Sequence, residues 1–230
     1  MDTERFSGAI RAANARRGIT VIPDIKSRSP KEGDLFRGRN PVGEAARLAA
    51  AGAPVLSVVT EAAHFGGSAA LCAAIAAAVN VPILRKDFIT SADEIKRSAD
   101  MGAAAVLLIC ATVSDALLKT LYETALGCGL EPLVEAHTAA ELTRALALGA
   151  RLVGINNRDI TAFETDDGGV SHSKSLLERI PRHVLKISES GILTRADVVA
   201  AQAAGADAAL VGTALWSEPD VAAAYGRLTP

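Results

Sequence analysis

The amino-acid sequence predicts an α/β fold: a single (β/α)8 TIM barrel over residues 1–230, with a short N-terminal helical extension over residues 1–18. Three observations predict it. They are a repeated glycine motif before apolar segments, a second set of apolar segments between those repeats, and a first predicted loop that is unlike a dinucleotide-binding loop. A chain of 230 residues is in the usual range for one such barrel, although two small domains would also fit.

The predicted extension, "MDTERFSGAIRAANARRG", is charged and amphipathic, and it lacks the apolar core of a signal peptide. Along the whole sequence no apolar run reaches the roughly 18 residues of a membrane span. The three cysteines, Cys72, Cys110 and Cys128, are scattered in helix-like or strand-like segments, which is typical of reduced core thiols. We therefore expect a cytoplasmic protein without membrane contact.

Glycine precedes an apolar segment at four places, "AAGAPVLSVV", "DMGAAAVLLI", "ALGARLVGIN" and "AAGADAALVG". The steps between these glycines, Gly52, Gly102, Gly149 and Gly205, are 50, 47 and 56 residues. Each glycine stands where a helix needs a left-handed C-terminal residue, and each segment after it is short and continuously apolar, as in strands buried on both faces. The repeat therefore predicts a helix, a glycine turn and a buried strand, four times over.

Four more predicted strands alternate with these repeats: "GITVIPDIK", "VPILRKD", "EPLVEA" and "HVLKISES". Each is followed by a polar loop and an amphipathic or Ala-rich segment. Eight strands that alternate with helices, at about 25 residues per unit, predict a closed barrel. A doubly wound open sheet is the alternative, but it predicts a glycine-rich loop after the first strand, and "DIKSRSPKEG" does not have that pattern.

Polar residues stand at or just beyond the C-terminal end of every predicted strand. In a (β/α)8 barrel these ends form the active-site face, so we expect the side chains to converge on one pocket. A single lysine or glutamate there is often only a solvated strand end, but several charged groups on different strands indicate a site. The candidates are Asp24, Lys26, Thr60, Glu61, Lys86, Asp87, Cys110, Glu135, Asn156, Arg158, Glu189, Ser190, Gly212 and Thr213.

Asp24 and Lys26 are two residues apart and so share one face of the first strand, pointing into the barrel mouth with Lys86 and Glu135. Two lysines among carboxylates can divide the roles of general acid and general base, since each charge shifts the pKa of its neighbours. The pattern therefore predicts acid–base catalysis.

The last two predicted strands end in "SESGI" and "VGTAL". These turns place Gly191 and Gly212 beside the hydroxyl groups of Ser190 and Thr213, in the two units that commonly bind phosphate in such barrels. The sequence thus predicts a small phosphorylated substrate. A net charge of −2 gives no basic field for nucleic acid, and the four isolated histidines do not have metal-ligand spacing. The sequence does not predict an oligomeric state.

The segments "DIKSRSP", "TEAAHFGGS", "ILRKDFI", "LVEAH", "GINNRDI", "ISESGI" and "LVGTAL", in this order, resemble the indole-3-glycerol phosphate synthase family from about Val21 to Leu215. The resemblance implies a barrel that closes the pyrrole ring of indole in tryptophan biosynthesis without a cofactor. The implied substrate is 1-(2-carboxyphenylamino)-1-deoxyribulose 5-phosphate, and the products are indole-3-glycerol phosphate, carbon dioxide and water.

The resemblance also implies residue roles. Lys86 corresponds to the general acid, and Lys26 to the lysine that meets the substrate carboxylate and takes part in dehydration. Glu135 and Asn156 correspond to residues that orient the lysines and bind hydroxyl groups, and Glu189 and Ser190 to a pair on the seventh barrel strand. The implied phosphate-binding residues are Ser29, Gly191, Gly212 and Thr213, and Phe88 and Phe163 fall at the anthranilate ring. Arg158 is a further predicted substrate-binding residue.

The sequence departs from the family pattern at Asp24, where the family has glutamate as the probable base for dehydration, and at Lys31, where serine is usual. The segment before the first strand is short for the family, whose N-terminal segment commonly covers the barrel mouth, and the loop at 164–173 looks altered. Two alternatives therefore remain: a paralogue that acts on a related or substituted anthranilate-derived sugar phosphate, and a non-catalytic barrel that binds a phosphate ligand. A phosphoribosylanthranilate isomerase is disfavoured because Cys110 has no matching acid–base partner.

Overall fold

The computed structural model describes residues 4–160 and 169–230, with only the backbone of residues 170–172. The strands are β1 Thr20–Ile25, β2 Arg28–Ser29, β3 Gly33–Asp34, β4 Leu56–Val59, β5 Ile83–Lys86, β6 Ala105–Ile109, β7 Glu131–Ala136, β8 Leu152–Asn156, β9 Leu185–Glu189 and β10 Ala208–Val211. The helices are α1 Arg5–Arg17, α2 Pro41–Ala50, α3 Ala69–Ala78, α4 Ala92–Asp100, α5 Asp115–Gly127, α6 Ala139–Ala147, α7 Val170–Leu177, α8 Arg195–Ala203, α9 Thr213–Trp216 and α10 Val221–Leu228.

Eight parallel strands form a closed barrel in the order β1, β10, β9, β8, β7, β6, β5, β4. The predicted (β/α)8 fold is confirmed, and β2 and β3 add a small antiparallel pair in the loop after β1. The four repeat glycines, Gly52, Gly102, Gly149 and Gly205, have φ values of 93°, 85°, 79° and 96°. Each turns the chain from a helix into a strand in the left-handed conformation that glycine adopts without strain.

The apolar core has two layers. One cluster lies inside the barrel and includes Ile22, Leu84, Leu133 and Ile187, and a larger cluster lies between the strands and the helices. Because side chains alternate along a strand, the residues two positions after these inner ones also point inward. That rule places Asp24, Lys86, Glu135 and Glu189 on the inner side at the C-terminal ends of their strands.

Helix α1 closes the opposite end of the barrel. Its Phe6 and Ile10 are fully buried in the inner cluster. The backbone N–H groups of Phe6 and Ser7 donate to the carboxylate of Glu131, at the N-terminal end of β7, and Asn14 Nδ2 donates to the carbonyl of Asp207 just before β10 at 2.8 Å. The predicted helical extension therefore packs on the bottom of the barrel and leaves the mouth, where the family's segment is expected, uncovered by α1.

Candidate functional site

The centre of the site is the ammonium group of Lys86 at the end of β5. Its Nζ lies 3.8 Å from Glu135 Oε2 and 3.7 Å from Glu189 Oε2. The Lys86 side chain is only 10% exposed, and those of Glu135 and Glu189 are 2% and 0% exposed. With so little water to screen the charges, the electrostatic interactions among these three groups are strong.

Glu135 and Asn156, on the neighbouring strands β7 and β8, hold each other in place. Asn156 Nδ2 donates to Glu135 Oε1 at 3.2 Å, and Asn156 Oδ1 accepts the backbone N–H of Arg158 at 3.0 Å. A ring nitrogen of His137 lies 2.8 Å from the backbone oxygen of Asn156. These contacts fix the Glu135 carboxylate on the side of Lys86 that faces β7.

Glu189 is the most deeply buried carboxyl group of the site. Burial, and next the charge of Glu135, raise its pKa to about 8, although Lys86 acts in the opposite direction. At neutral pH Glu189 is therefore mainly protonated, and it stands beside Lys86 as a buried carboxylic acid.

Asp24 and Lys26 lie across the barrel from β7. Ser57 Oγ donates to Asp24 Oδ1 at 2.6 Å, and the indole N–H of Trp216 donates to the backbone oxygen of Asp24 at 2.8 Å. Lys26 directly follows β1, and its Nζ lies 5.4 Å from the centre of the Phe65 ring, within cation–π range. Both Asp24 and Lys26 are about 5% exposed, so they face the cavity and little bulk solvent.

One end of the cavity is lined mostly by apolar side chains. We call it the apolar end. Lys26, Lys86 and Asp24 stand at its edge. Its apolar walls are Val59, Phe65, Phe88, Leu107, Ile109 and Ile160. Phe88 therefore lies where the sequence predicts a ring contact, whereas Phe163 is outside the described residues.

The other end, the polar end, is lined mostly by polar and charged residues. It shares Asp24 and Lys26 with the apolar end, so the two spaces form one elongated cavity. The polar end brings together every residue predicted to lie near a phosphate, namely Ser29, Ser190, Gly191, Gly212 and Thr213. It also contains the predicted substrate-binding residue Arg158, and adds Lys31 and Glu32.

The turn after β9 has an unusual backbone. Ser190 and Gly191 are both left-handed, with φ values of 63° and 67°. Serine pays a steric cost in this conformation, which persists only when neighbours hold it. Asn157 does so, since its Nδ2 donates to the Ser190 carbonyl at 2.9 Å and to Ser188 Oγ at 3.1 Å. The turn is thus held firmly against the polar end.

Five strand-end candidates do not line the cavity: Glu135, Asn156 and Glu189 belong to the buried group behind Lys86, whereas Thr60 and Cys110 lie apart from the site. Thr60 Oγ1 donates to Asp87 and accepts from the buried Arg85, which links β4 to β5. The Cys110 Sγ lies 3.7 Å from the Glu141 carbonyl, and burial raises its pKa to about 12, so it is an inert thiol. The expectation of convergence is wrong for these two because they point to the helix side of their strands.

Three residues that shape the site are not predicted from the sequence: Ser57 beneath Asp24, Phe65 beside Lys26, and Gly154 next to Glu189. Phe65 lies in the quoted segment "TEAAHFGGS", which was the available signal. Ser57 and Gly154 lie inside apolar strands, where nothing in the local pattern marks them.

Among the side chains that the structure describes, those of residues 4–160, 169 and 173–230, no group of three or more metal-ligating side chains stands close enough together to hold an ion. No helix in the described part of the chain is long and apolar enough to span a membrane.

Comparisons with known proteins show the family to which the chain is similar. Residues 1–228 match the sequence model of the indole-3-glycerol phosphate synthase family. The chain is 40% identical to the indole-3-glycerol phosphate synthase of Opitutus terrae, over 95% of this chain and 82% of that protein. It is 43% identical to the synthase of the same name from Pyrococcus furiosus, over 90% of each chain.

A third relative, the indole-3-glycerol phosphate synthase of Acidithiobacillus ferrooxidans, is 44% identical over 91% of this chain and 78% of its own length. Among solved structures, a thiamine phosphate pyrophosphorylase from Pyrococcus furiosus superposes with a TM-score of 0.66 at 14% identity, covering 94% of this chain and 96% of that one. At so low an identity this likeness concerns the barrel fold alone.

Proposed function

The chain belongs to the indole-3-glycerol phosphate synthase family, and we propose that it converts 1-(2-carboxyphenylamino)-1-deoxyribulose 5-phosphate into indole-3-glycerol phosphate. The reaction is that of a carbon–carbon lyase, which releases carbon dioxide and water and uses no cofactor. The observation that supports it best is the position of Lys86. Its ammonium group stands at the edge of the apolar end, backed by two buried carboxyl groups.

Ring closure needs an acid at the substrate ketone. As the aromatic carbon that bears the carboxylate attacks the ketone carbon, a carbon–carbon bond forms and the ketone oxygen takes a proton from Lys86 Nζ. Glu135 and Glu189 lie behind Lys86, away from the cavity wall. The protonated Glu189 is therefore placed to return a proton to Lys86, directly or through Glu135.

Decarboxylation is favoured where the carboxylate loses its water shell. The apolar end surrounds the anthranilate ring with Phe65, Phe88 and aliphatic side chains, and Lys26 meets the carboxylate before it leaves. The bond to the carboxyl carbon then breaks, and its electron pair restores the aromatic ring. Phe163 remains a predicted further contact to this ring.

Dehydration needs an acid and a base on opposite sides of one bond. We assign Lys26 as the acid that protonates the departing hydroxyl group and Asp24 as the base that removes a proton from the adjacent carbon. Asp24 has the right position, since its carboxylate borders both ends of the cavity. Asn156 and Glu135 orient the lysines.

The substrate phosphate is assigned to the polar end. Ser29, Ser190 and Thr213 supply hydroxyl groups, Gly191 and Gly212 allow close approach to the backbone, and Arg158 supplies positive charge. We infer a small phosphorylated substrate and no nucleic-acid partner. We also infer a cytoplasmic location, because the three cysteines are free thiols, as expected in a reducing compartment.

The test is a continuous fluorescence assay of indole-3-glycerol phosphate formation with the wild type and Lys86→Ala. We expect wild-type turnover and a loss in Lys86→Ala of about 10³-fold in kcat, in the usual range for a general acid. Lys96→Ala is the matched control, because Lys96 is exposed on α4 and pairs only locally with Asp93 in the described structure. Equal activity of the two variants would contradict the assignment of Lys86.

A second candidate rests on Asp24. Its carboxylate is one methylene shorter than the family's glutamate, and Ser57 holds it down. Wild-type protein that is inactive in this assay, with activity recovered in Asp24→Glu, would indicate a paralogue that uses a substituted anthranilate-derived sugar phosphate. Kinetics with substituted substrates would then identify it.

A further inference from the structure

The carboxyl group of Glu189 occupies a slot inside the barrel. Glu189 pairs with Asn156 across β8 and β9, and one inward-facing position earlier Gly154 pairs with Ile187. The Glu189 carboxyl lies over Gly154, because a side chain on Gly154 would meet Glu189 before any other residue. The slot is closed to bulk solvent, since Glu189 is 0% exposed.

Gly154 is needed here for space and not for backbone conformation. It is not among the glycines with positive φ, so its backbone accepts any residue. A Cβ at this position would overlap Glu189 Oε1 and lie 3.0 Å from Glu189 Cδ. The next nearest atom, Leu133 Cδ1, would be at 3.5 Å, which is an ordinary contact. A side chain at residue 154 would therefore force the Glu189 carboxyl to move.

We propose that Gly154 is a positioning residue. Because it has no side chain, the Glu189 carboxyl can lie beside Glu135 and Lys86, and the general acid Lys86 is held between the carboxyl groups of Glu135 and Glu189. The inference rests on the proposed function and extends it. Gly154 does not touch the substrate and acts only through Glu189.

The surroundings of Glu189 explain why the slot matters. The charged groups that affect it are Glu135 on β7, Lys86 on β5 and Asp24 on β1. Within the described residues, neither Glu189 oxygen accepts a hydrogen bond from an N–H or hydroxyl group. A carboxyl group in such a place keeps its proton, in agreement with its raised pKa. A Glu189 displaced from the slot would reach water and ionise at lower pH.

The experiment compares four proteins: wild type, Gly154→Ala, Glu189→Ala and the double variant. Each is measured for kcat, KM, the pH profile of kcat and the midpoint of thermal unfolding. In Gly154→Ala we expect kcat to fall by about 100-fold, the usual effect of a misplacement near 1 Å. KM should change little, and the basic limb of the pH profile should move to lower pH. Gly127→Ala, where an added Cβ meets nothing within 4 Å, should match the wild type.

The double variant separates positioning from a general structural role. Without the Glu189 side chain the slot is empty, so Gly154→Ala should cost nothing further in that background: the double variant should match Glu189→Ala in kcat and in unfolding midpoint. Should Gly154→Ala alone fail to fold, this pair still decides the matter. A second loss in the double variant, or a Gly154→Ala protein with the wild-type kcat and pH profile, would overturn the proposal.

The result is distinguishable from failure of the proposed function. If the wild type has no synthase activity, the thermal unfolding midpoints of the four proteins can still be compared. These midpoints alone show whether the loss of stability caused by an alanine at position 154 depends on Glu189.

Discussion

Two buried glutamates, Glu131 at the bottom of the barrel and Glu189 at its mouth, have the same side chain and opposite surroundings. Burial raises the pKa of both carboxyl groups. Glu131 accepts backbone N–H groups of Phe6 and Ser7 at the start of α1, including one at 3.2 Å. Glu189 faces Glu135 and Lys86 and, in the described part of the chain, accepts no such bond.

The difference shows how the barrel divides its tasks. At the bottom, Glu131 joins a helix to a strand and satisfies N–H groups that α1 itself leaves unpaired, which stabilises the fold. At the mouth, a buried acid without hydrogen-bond donors costs stability but is ready to exchange a proton. Substitutions at the bottom should therefore change stability, and substitutions at the mouth should change activity.

The largest expected effect is that of Phe6→Ala at the bottom. Phe6 is fully buried in the inner cluster, and its removal should lower the free energy of unfolding by about 4 kcal/mol, as for other large core truncations. At 25 °C the kcat of the folded variant should stay near the wild-type value. Chemical denaturation checks the loss of stability, and the fluorescence assay checks kcat. A large loss of kcat in the folded variant would contradict the separation of stability at the bottom from activity at the mouth.

Glu189→Gln at the mouth should mainly change activity, in contrast to Phe6→Ala. We expect kcat to be lower by about 100-fold, a typical contribution of one acid–base group. Its stability should depend on pH in a definite direction. Because the folded-state pKa of Glu189, about 8, is above its ordinary value of 4.5, the stability that its proton contributes is present below pH 4.5 and lost as the pH rises through 8.

Wild-type stability should therefore fall between those pH values more steeply than that of Glu189→Gln, which cannot ionise. The free energy of unfolding of both proteins, measured by denaturation at pH 6 and at pH 9, gives this difference. The pH dependence due to Glu131 is common to both proteins and cancels in the comparison. Parallel curves for the two proteins would contradict the raised pKa.

Glu131→Ala should have a smaller effect on stability. It leaves two backbone N–H groups of α1 without their acceptor and should lower the free energy of unfolding by about 2 kcal/mol, with kcat unchanged. Glu131→Gln retains an acceptor oxygen and should recover part of the loss. Denaturation of the three proteins at one pH checks the order; an activity loss in either variant would argue that the two ends are coupled.

The smallest effect is expected for Ser57→Ala at the mouth. It removes the 2.6 Å hydrogen bond to Asp24, which we expect to lower kcat about 5-fold, equivalent to about 1 kcal/mol. Ser57 and Asp24 pair across β4 and β1. The next residue on β4, Val58, points to the opposite face of the strand, away from Asp24, so Val58→Ala is the control. Unchanged kcat in Ser57→Ala would show that Asp24 needs no anchor.

The sequence by itself determined the order of strands and helices, and most of the residues at the mouth. Apolar segments and glycines report local conformation, and parallel strands bring their C-terminal ends to one face, so Lys86, Asp24 and Glu135 were predictable. The predicted roles of these residues stay predictions until the variants are measured.

Only the tertiary structure decided the partners of those residues. That α1 closes the bottom, that Ser57 anchors Asp24 and that Gly154 makes room for Glu189 all depend on contacts between segments far apart in the chain. The spacing of a pattern describes one strand or helix at a time. Burial, shared protons and excluded volume arise only when several elements pack around the same small space.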